Sequence, residues 1–258
     1  IDQRIKNIEF SKEQIIKICD RNFIGCDQLI IIKKNRELDA GLEFYNSDGS
    51  TSGACGNGTR CAAYLLLKEN NNNKEITVWT ASGIIRSNIL KDNLVQTQIG
   101  VPKIKWNEIP ISENKNTKNL GIKIMDENNK EHIGGIAINV GNPHVIFFVE
   151  SIDKFNIKKI GPTVENNKLF PEKCNVTIAE IVNQNLIKVK VWERGAGQTK
   201  ACGTAACATA VAGNISGLTK ASTDIEFELG RLSIFIDEKN SIHMKGPVSE
   251  IKEIDIKL

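Results

Sequence analysis

Two cysteines stand in nearly the same local sequence, one in each half of the chain. Cys55 and Cys202 both occur as Ala-Cys-Gly, followed by a polar residue and a stretch typical of a helix. A loop rich in glycine and small polar residues surrounds the first cysteine, at 46–58, and another precedes the second, at 195–200. This repeat predicts that each half presents a thiol where a loop becomes a helix.

The first turn of a helix gives such a thiol unusual properties. Its backbone N–H groups lack partners within the helix and carry about half a positive charge. They lower the pKa of a thiol from about 8.5, and they also bind carboxylates. The glycine that follows each cysteine lets a ligand approach the backbone closely. Each segment is therefore suited to hold a reactive thiol and an anionic substrate.

Two such thiols together are suited to inverting a carbon centre. A thiolate removes a proton from the carbon, and a thiol delivers a proton to the opposite face. This chemistry needs no histidine pair, metal or organic cofactor, and the chain has only three histidines. We therefore predict a site without a metal or a cofactor.

Other interpretations of the cysteines and glycines are weaker. A zinc site usually has closely spaced cysteines with further Cys or His ligands nearby, which neither Cys55/Cys61 nor Cys202/Cys207 has. We expect Cys61 and Cys207 to be buried helix residues. The glycines at 56–58 and 195–200 do not match the spacing of a dinucleotide- or phosphate-binding loop.

The elements that must position the two cysteines can be predicted from hydrophobic periodicity. Helices are expected over 59–69 and 204–212, directly after the two cysteine motifs. Alternating or β-branched stretches predict strands, including 29–33, 42–45, 76–80, 84–90 and 95–99 before the midpoint of the chain. Each half is thus predicted to be α+β, with several strands and one principal helix.

Composition excludes several classes of protein. The 34 basic and 31 acidic side chains nearly balance, so we expect neither nucleic acid nor an anionic membrane as a partner. No apolar run approaches the 18 or so residues of a membrane span. The odd number of cysteines, seven, argues against a disulfide framework and predicts a cytoplasmic location.

The order of these motifs resembles the diaminopimelate epimerase family over essentially the whole chain. The first cysteine motif, with Asn-Ser-Asp-Gly-Ser before it, is similar to the family's first active-site signature, and Trp-Glu-Arg-Gly-Ala-Gly before the second cysteine is similar to the other. Connecting motifs of the family are matched at 141–144, 161–176 and 246–247.

The resemblance implies both a fold and an activity. The fold is two pseudo-symmetric halves, each a mostly antiparallel sheet wrapped around a central helix, with the active site in the cleft between them. We place the halves at 1–103, joined by 246–258, and at 104–245. The implied activity is cofactor-independent interconversion of LL- and meso-diaminopimelate, a small-molecule substrate on the route to lysine and peptidoglycan.

Residue roles follow from the motifs that match. Cys55 and Cys202 would be the two proton-transfer residues, and the backbone N–H groups of the residues after them would hold the substrate carboxylate at the reacting centre. His144 and Glu193 would tune the cysteines. The residues expected to bind substrate are Gln28, Asn46, Gly56, Asn57, Asn142, Asn175, Glu193, Arg194, Gly203 and Thr204.

The sequence departs from the family pattern at both ends. It begins at Ile1, after the position of a family segment whose asparagine contacts substrate. A protein without that segment would be a candidate for a non-catalytic binding protein on the same scaffold, and a proline- or hydroxyproline-type racemase is the other alternative. The family also implies a homodimer, but Lys252 replaces a tyrosine that is often linked to dimer formation.

Overall fold

The computed structural model describes residues 1–53, 55–69, 74–91 and 93–255. Ala54 of the first cysteine motif and the end of the predicted C-terminal return, 256–258, lie outside the described residues. The chain divides into two compact units, residues 1–98 with 245–258 and residues 99–244. The domain boundaries placed above at 103/104 and 245/246 stay a prediction.

The first unit combines a sheet with one long helix. Its elements are α1 (Lys12–Cys19), β1 (Gln28–Lys33), β2 (Ala40–Asn46), β3 (Thr51–Ser52), α2 (Gly56–Glu69), β4 (Glu75–Thr80), β5 (Gly83–Lys91) and β6 (Leu94–Gly100). The strands follow the order β1-β2-β4-β5-β6, and α2 packs against β1, β4 and β5. In β4, Ile76 and Val78 alternate with more exposed residues and turn toward the core.

The second unit has a larger sheet around a more deeply buried helix. Its elements are β7 (Ile122–Met125), β8 (Glu131–Gly134), β9 (Ile136–Asn139), β10 (Pro143–Val149), α3 (Ile157–Glu165), β11 (Asn175–Asn183), β12 (Leu186–Glu193), β13 (Gly197–Thr199), α4 (Gly203–Ile215), β14 (Ser222–Phe227) and β15 (Gly230–Ile236). The order of its main strands is β15-β14-β12-β11-β10-β9. Because α4 is built from alanine, glycine and other small residues, it fits against strands on several sides. A final strand, β16 (Ile242–Pro247), carries the chain from the second unit back to the first.

Each cysteine motif lies in the same succession of elements. In the first unit β2 is followed by β3, Cys55, α2 and β4, and in the second β12 is followed by β13, Cys202, α4 and β14. The strands β2 and β4 are parallel neighbours, as are β12 and β14. Parallel neighbours require a long crossover connection, which α2 and α4 supply. The predicted α+β class, with mostly antiparallel strands and a principal helix in each half, is confirmed.

One predicted burial is wrong. Cys207 is buried in α4, but Cys61 is exposed in α2. The buried face of α2 carries Ala62, Ala63 and Leu66, whereas Cys61 shares its side of the helix with exposed Lys68, seven residues on. Among the described residues, no helix combines the length and the apolar character that crossing a membrane requires.

Candidate active site

Cys55 directly precedes the first turn of α2 and is partly buried. Its Sγ accepts a hydrogen bond from the backbone N–H of Gly58 at 3.2 Å. A Cβ atom on Gly58 would lie 2.9 Å from this sulfur and 2.8 Å from Cδ1 of Ile30, so any larger residue would displace one of these side chains. The helix N-terminus therefore points a donor at the sulfur, which favours the thiolate.

Gln28 and Asn46 lie on the face of the sheet that packs against this turn. They are directly opposite each other on β1 and β2, and Nε2 of Gln28 donates to Oδ1 of Asn46 at 2.9 Å. Ile30, whose side chain reaches Gly58, is two residues after Gln28 on the same strand and therefore on the same face. The first unit thus brings the predicted amide pair and Cys55 to one face of its sheet.

Gly56 and Asn57 form the start of α2. The side-chain oxygen of Asn57 accepts a hydrogen bond from Nη2 of buried Arg60 at 3.1 Å. The backbone N–H groups of both residues belong to the first turn, where a helix supplies no acceptor of its own. Binding of the substrate carboxylate by these N–H groups stays a prediction.

Cys202 is the N-cap residue of α4 and is almost completely buried. Its thiol donates to Oε2 of Glu193 at 3.1 Å, and Oγ1 of Thr204 lies 3.4 Å from the sulfur. Burial, followed by the nearby charge of Glu193, raises the pKa of Cys202 well above its usual value, although Thr204 and the N–H of Ala205 act in the opposite direction. The expectation that Cys202 has a lowered pKa is wrong, because burial and the charge of Glu193 outweigh the lowering by the helix terminus.

Glu193 reaches Cys202 because it is the last residue of β12. The short strand β13 pairs back on β12, with Glu193 opposite Gly197. Thr199, at the end of β13, donates its hydroxyl proton to Oε1 of Glu193 at 2.5 Å. No role was predicted for Thr199 from the sequence, although it lies between the Glu-Arg pair and Cys202 and carries a hydroxyl group.

His144 is linked to the second cysteine through two side chains. Its Nε2 donates to Oδ1 of Asn142 at 2.9 Å, and Nδ2 of Asn142 lies 3.5 Å from Oγ1 of Thr204, which contacts Cys202. The imidazole is fully buried, and this burial, with the positive charge of Arg194, lowers its pKa to about 3. His144 is therefore a neutral imidazole at physiological pH.

Asn175 connects two loops at this end of the sheet. Its Nδ2 donates to the carbonyl oxygen of Pro143 at 2.9 Å, and its Oδ1 accepts from the backbone N–H of Arg194 at 3.0 Å. The guanidinium of Arg194 donates to the carbonyl oxygen of Glu172 at 2.9 Å and is otherwise exposed. Asn175 thus holds the backbone from which the Arg194 side chain extends.

The predicted residues of each unit therefore lie near one another within that unit. Those of the second unit form two hydrogen-bonded groups, which meet where Asn175 binds Pro143, the residue before His144. Within the described residues, no group of three or more His, Cys, Asp or Glu side chains is arranged to hold a metal ion. The roles assigned to individual site residues stay predictions.

Comparisons of the sequence with known proteins agree on one family. The family model described as Diaminopimelate epimerase matches residues 1–105 and 136–251. The diaminopimelate epimerase of Pelagibacter ubique is 67% identical over 258 residues, which cover 100% of this chain and 94% of that protein.

Solved structures show the same fold at much lower sequence identity. A phenazine biosynthesis protein of the PhzF family from Bacillus anthracis has a TM-score of 0.64 and 14% identity, covering 96% of this chain and 90% of that one. A probable proline racemase from Agrobacterium radiobacter has a TM-score of 0.63 and 13% identity, covering 90% and 77%. The sequence matches are the ones that decide the family, and the chain belongs to the diaminopimelate epimerase family.

Proposed function

We propose that this chain inverts the α-carbon of diaminopimelate and so interconverts the LL and meso forms, with Cys55 and Cys202 transferring the proton. The observation that carries the proposal is the match, over the whole chain, to a relative named for this activity. The two thiols at helix N-termini supply the chemistry that such an inversion needs.

The surroundings of the two thiols support a division of roles in one direction of the reaction. Cys202 is buried beside Glu193, its pKa is raised, and it therefore keeps its proton and can donate it. Sγ of Cys55 accepts a hydrogen bond from the N–H of Gly58, which favours the thiolate, the form in which Cys55 can act as a base. After one turnover the proton has moved from Cys202 to Cys55, and the reverse reaction uses the opposite roles.

The substrate would be held at both of its ends. We assign its reacting carboxylate to the N–H groups of Gly56, Asn57, Gly203 and Thr204, since helix N-termini bind carboxylates well. Preorganised donors of this kind also stabilise the negative charge that develops when the α-proton leaves.

The far end of the substrate carries a second carboxylate and an ammonium group. The exposed guanidinium of Arg194 suits that carboxylate, because arginine binds carboxylates through two parallel hydrogen bonds. The amides of Gln28, Asn46, Asn142 and Asn175 complete the set that we assign to this end.

The biological setting follows from this substrate. We propose that the enzyme acts in the biosynthesis of lysine and of peptidoglycan precursors in the cytoplasm, where its seven thiols remain reduced. We also propose that it is a homodimer, which light scattering of the purified protein would test.

Solvent-exchange measurements test the assignment of the two cysteines. In deuterium oxide, the wild-type protein should incorporate deuterium at the α-carbon of diaminopimelate and convert one stereoisomer to the other. Cys55→Ala and Cys202→Ala should each lower stereoinversion at least a hundredfold, because general acid–base groups contribute about 10² to 10⁴ in rate. Cys61→Ala is the matched control, since this exposed thiol lies within α2 and has no role in the proposed reaction, and it should keep the wild-type rate.

The same assay separates the alternatives. Proline should show no exchange, and exchange with proline but not with diaminopimelate would support the racemase interpretation. Tight binding of diaminopimelate without any exchange would support a binding protein. Full stereoinversion by Cys55→Ala would overturn the assignment of that residue.

A further inference from the structure

Glu165, the last residue of α3, is a buried carboxylate to which the reaction described above gives no role. It is 5% exposed. Its Oε2 accepts the indole N–H of Trp192 at 2.7 Å, and its Oε1 accepts the backbone N–H of Gly195 at 3.0 Å. A buried charge requires such partners, so these two donors fix where the carboxylate lies.

The two donors stand immediately before and after the pair Glu193-Arg194. One carboxylate of α3 therefore holds both ends of the short segment that carries these two predicted site residues. Glu193 is also held by the pairing of β12 with β13 and by the hydrogen bonds of its carboxylate to Thr199 and Cys202. Arg194 lies beyond the end of β12, in the turn, where its N–H donates to Asn175 and its guanidinium to the carbonyl oxygen of Glu172. Loosening of this segment should therefore displace Arg194 more than Glu193.

Packing of the Trp192 ring on α3 fixes the geometry of its hydrogen bond to Glu165. The indole ring of Trp192 lies against Gly161, where an added Cβ would be 2.3 Å from its Cγ. Gly161 is four residues before Glu165 and therefore on the same face of the helix. The ring is seated where α3 has no side chain, and its N–H reaches the carboxylate one turn later.

The negative charge of Glu165 suits the two N–H groups that donate to it. An ionised carboxylate only accepts hydrogen bonds, which matches two N–H donors, while an amide would turn its own NH₂ group toward one of them. Nζ of Lys173 lies 4.0 Å from Oε1, and its side chain is half exposed. This cation partly balances the buried charge.

We propose that Glu165 is a positioning residue for substrate binding, which fixes the turn at Arg194 so that the guanidinium meets the far carboxylate of the substrate. This inference rests on the proposed function. Glu165 acts through the backbone of Gly195 and the indole of Trp192, and it takes no part in proton transfer.

Steady-state kinetics of Glu165→Gln test this role. The variant loses one of the two acceptors, which predicts a rise of about tenfold in the KM for meso-diaminopimelate. We expect kcat to stay within twofold of the wild type, because Cys202 and Glu193 remain in place. Glu150→Gln, which removes an exposed carboxylate of the same unit, is the matched control and should change neither constant.

A spectroscopic readout tests the contact itself, independently of turnover. In a ¹H–¹⁵N spectrum, the indole N–H of Trp192 should move upfield in Glu165→Gln and stay in place in Glu150→Gln. Trp192→Phe identifies that resonance among the three tryptophans. It also provides a milder kinetic variant, with a two- to threefold rise in KM, should Glu165→Gln fail to fold.

The outcomes separate this inference from the proposed function. A wild-type protein without turnover of diaminopimelate removes the proposed function, and the positioning role with it. Normal wild-type turnover together with an unchanged KM in the Glu165 variant overturns the positioning role alone. A fall in kcat at constant KM would also contradict it, since that pattern reports a smaller folded fraction or a disturbed thiol.

Discussion

His144 is a buried imidazole whose two nitrogen atoms have different surroundings. Nε2 donates to Asn142, while within the described residues Nδ1 has no hydrogen-bond partner. Protonation would place a buried N–H group without an acceptor at Nδ1 and would add positive charge near Arg194. Burial of the ring, which disfavours its charged form, is the main reason why the pKa lies far below the ordinary value, and the positive charge of Arg194 adds to it.

This lowered pKa makes stability depend on pH in a definite direction. Between about 6.5, the ordinary pKa of histidine, and about 3, the unfolded chain binds a proton that the folded protein does not bind. The free energy of unfolding should therefore fall as the pH falls through this window, by up to about 1.4 kcal/mol per pH unit from this residue. His144→Gln should show a shallower fall.

Urea unfolding between pH 4.5 and 7 measures both slopes. Glutamine retains an NH₂ group that can donate to Asn142, so the comparison isolates the titration of the ring. Identical slopes for the wild type and the variant would show that His144 does not contribute this dependence.

Site residues that lie in a recognisable local motif could be predicted from the sequence. Properties that depend on contacts between distant residues could not. Cys55 and Cys202 stand out because the same short motif occurs twice. The raised pKa of Cys202 could not be predicted from that motif, since it depends on burial and on where Glu193 ends β12. Glu165 lies in the matched motif at 161–176, but the sequence indicated no role for it, because its partners, Trp192 and Gly195, are far away in sequence.

At the scale of elements, periodicity predicted the long helices and strands but not the short pairings. The predicted helices at 59–69 and 204–212 correspond to α2 (Gly56–Glu69) and α4 (Gly203–Ile215). The strands β3 and β13 are two and three residues long, too short for a periodic pattern. They exist because each pairs back on the preceding strand, and β13 brings Thr199 to Glu193.

The helix α4 needs small side chains because strands pack closely around it. Ala208 is completely buried among other core residues of the second unit. Ala208→Leu adds three carbon atoms to a site with strands packed around the helix, and overpacking of this kind costs about 1–3 kcal/mol. We expect the free energy of unfolding to fall by this amount.

Urea titration at neutral pH tests the packing of α4. Ala81→Leu is the matched control, because Ala81 is exposed in the turn between β4 and β5 and its enlargement should have little effect. Equal stability of the Ala208 variant and this control would contradict tight packing around α4.

At the scale of the whole molecule, the first unit is completed by the far end of the chain. Val248 is buried in the same cluster as Leu42, Phe44 and Leu66 of the first unit. Its backbone exchanges hydrogen bonds with Asn93, from Val248 N–H to the carbonyl oxygen at 2.9 Å and from Asn93 Nδ2 to the carbonyl oxygen of Val248 at 2.7 Å. The entropy cost of such a distant closure grows only slowly with loop length, so a few buried contacts are enough to offset it.

Val248→Ala should therefore weaken one unit more than the other. Removing two buried methyl groups costs about 2 kcal/mol, which corresponds to a loss of about thirtyfold in amide protection. Hydrogen exchange should show this loss in α2, whose Ala63 and Leu66 pack in the same cluster, and little change in α4. Val182→Ala, at an exposed position of β11, should change neither helix. Equal losses in α2 and α4 would mean that the two units open together, so that the returning segment stabilises the whole chain and not the first unit alone.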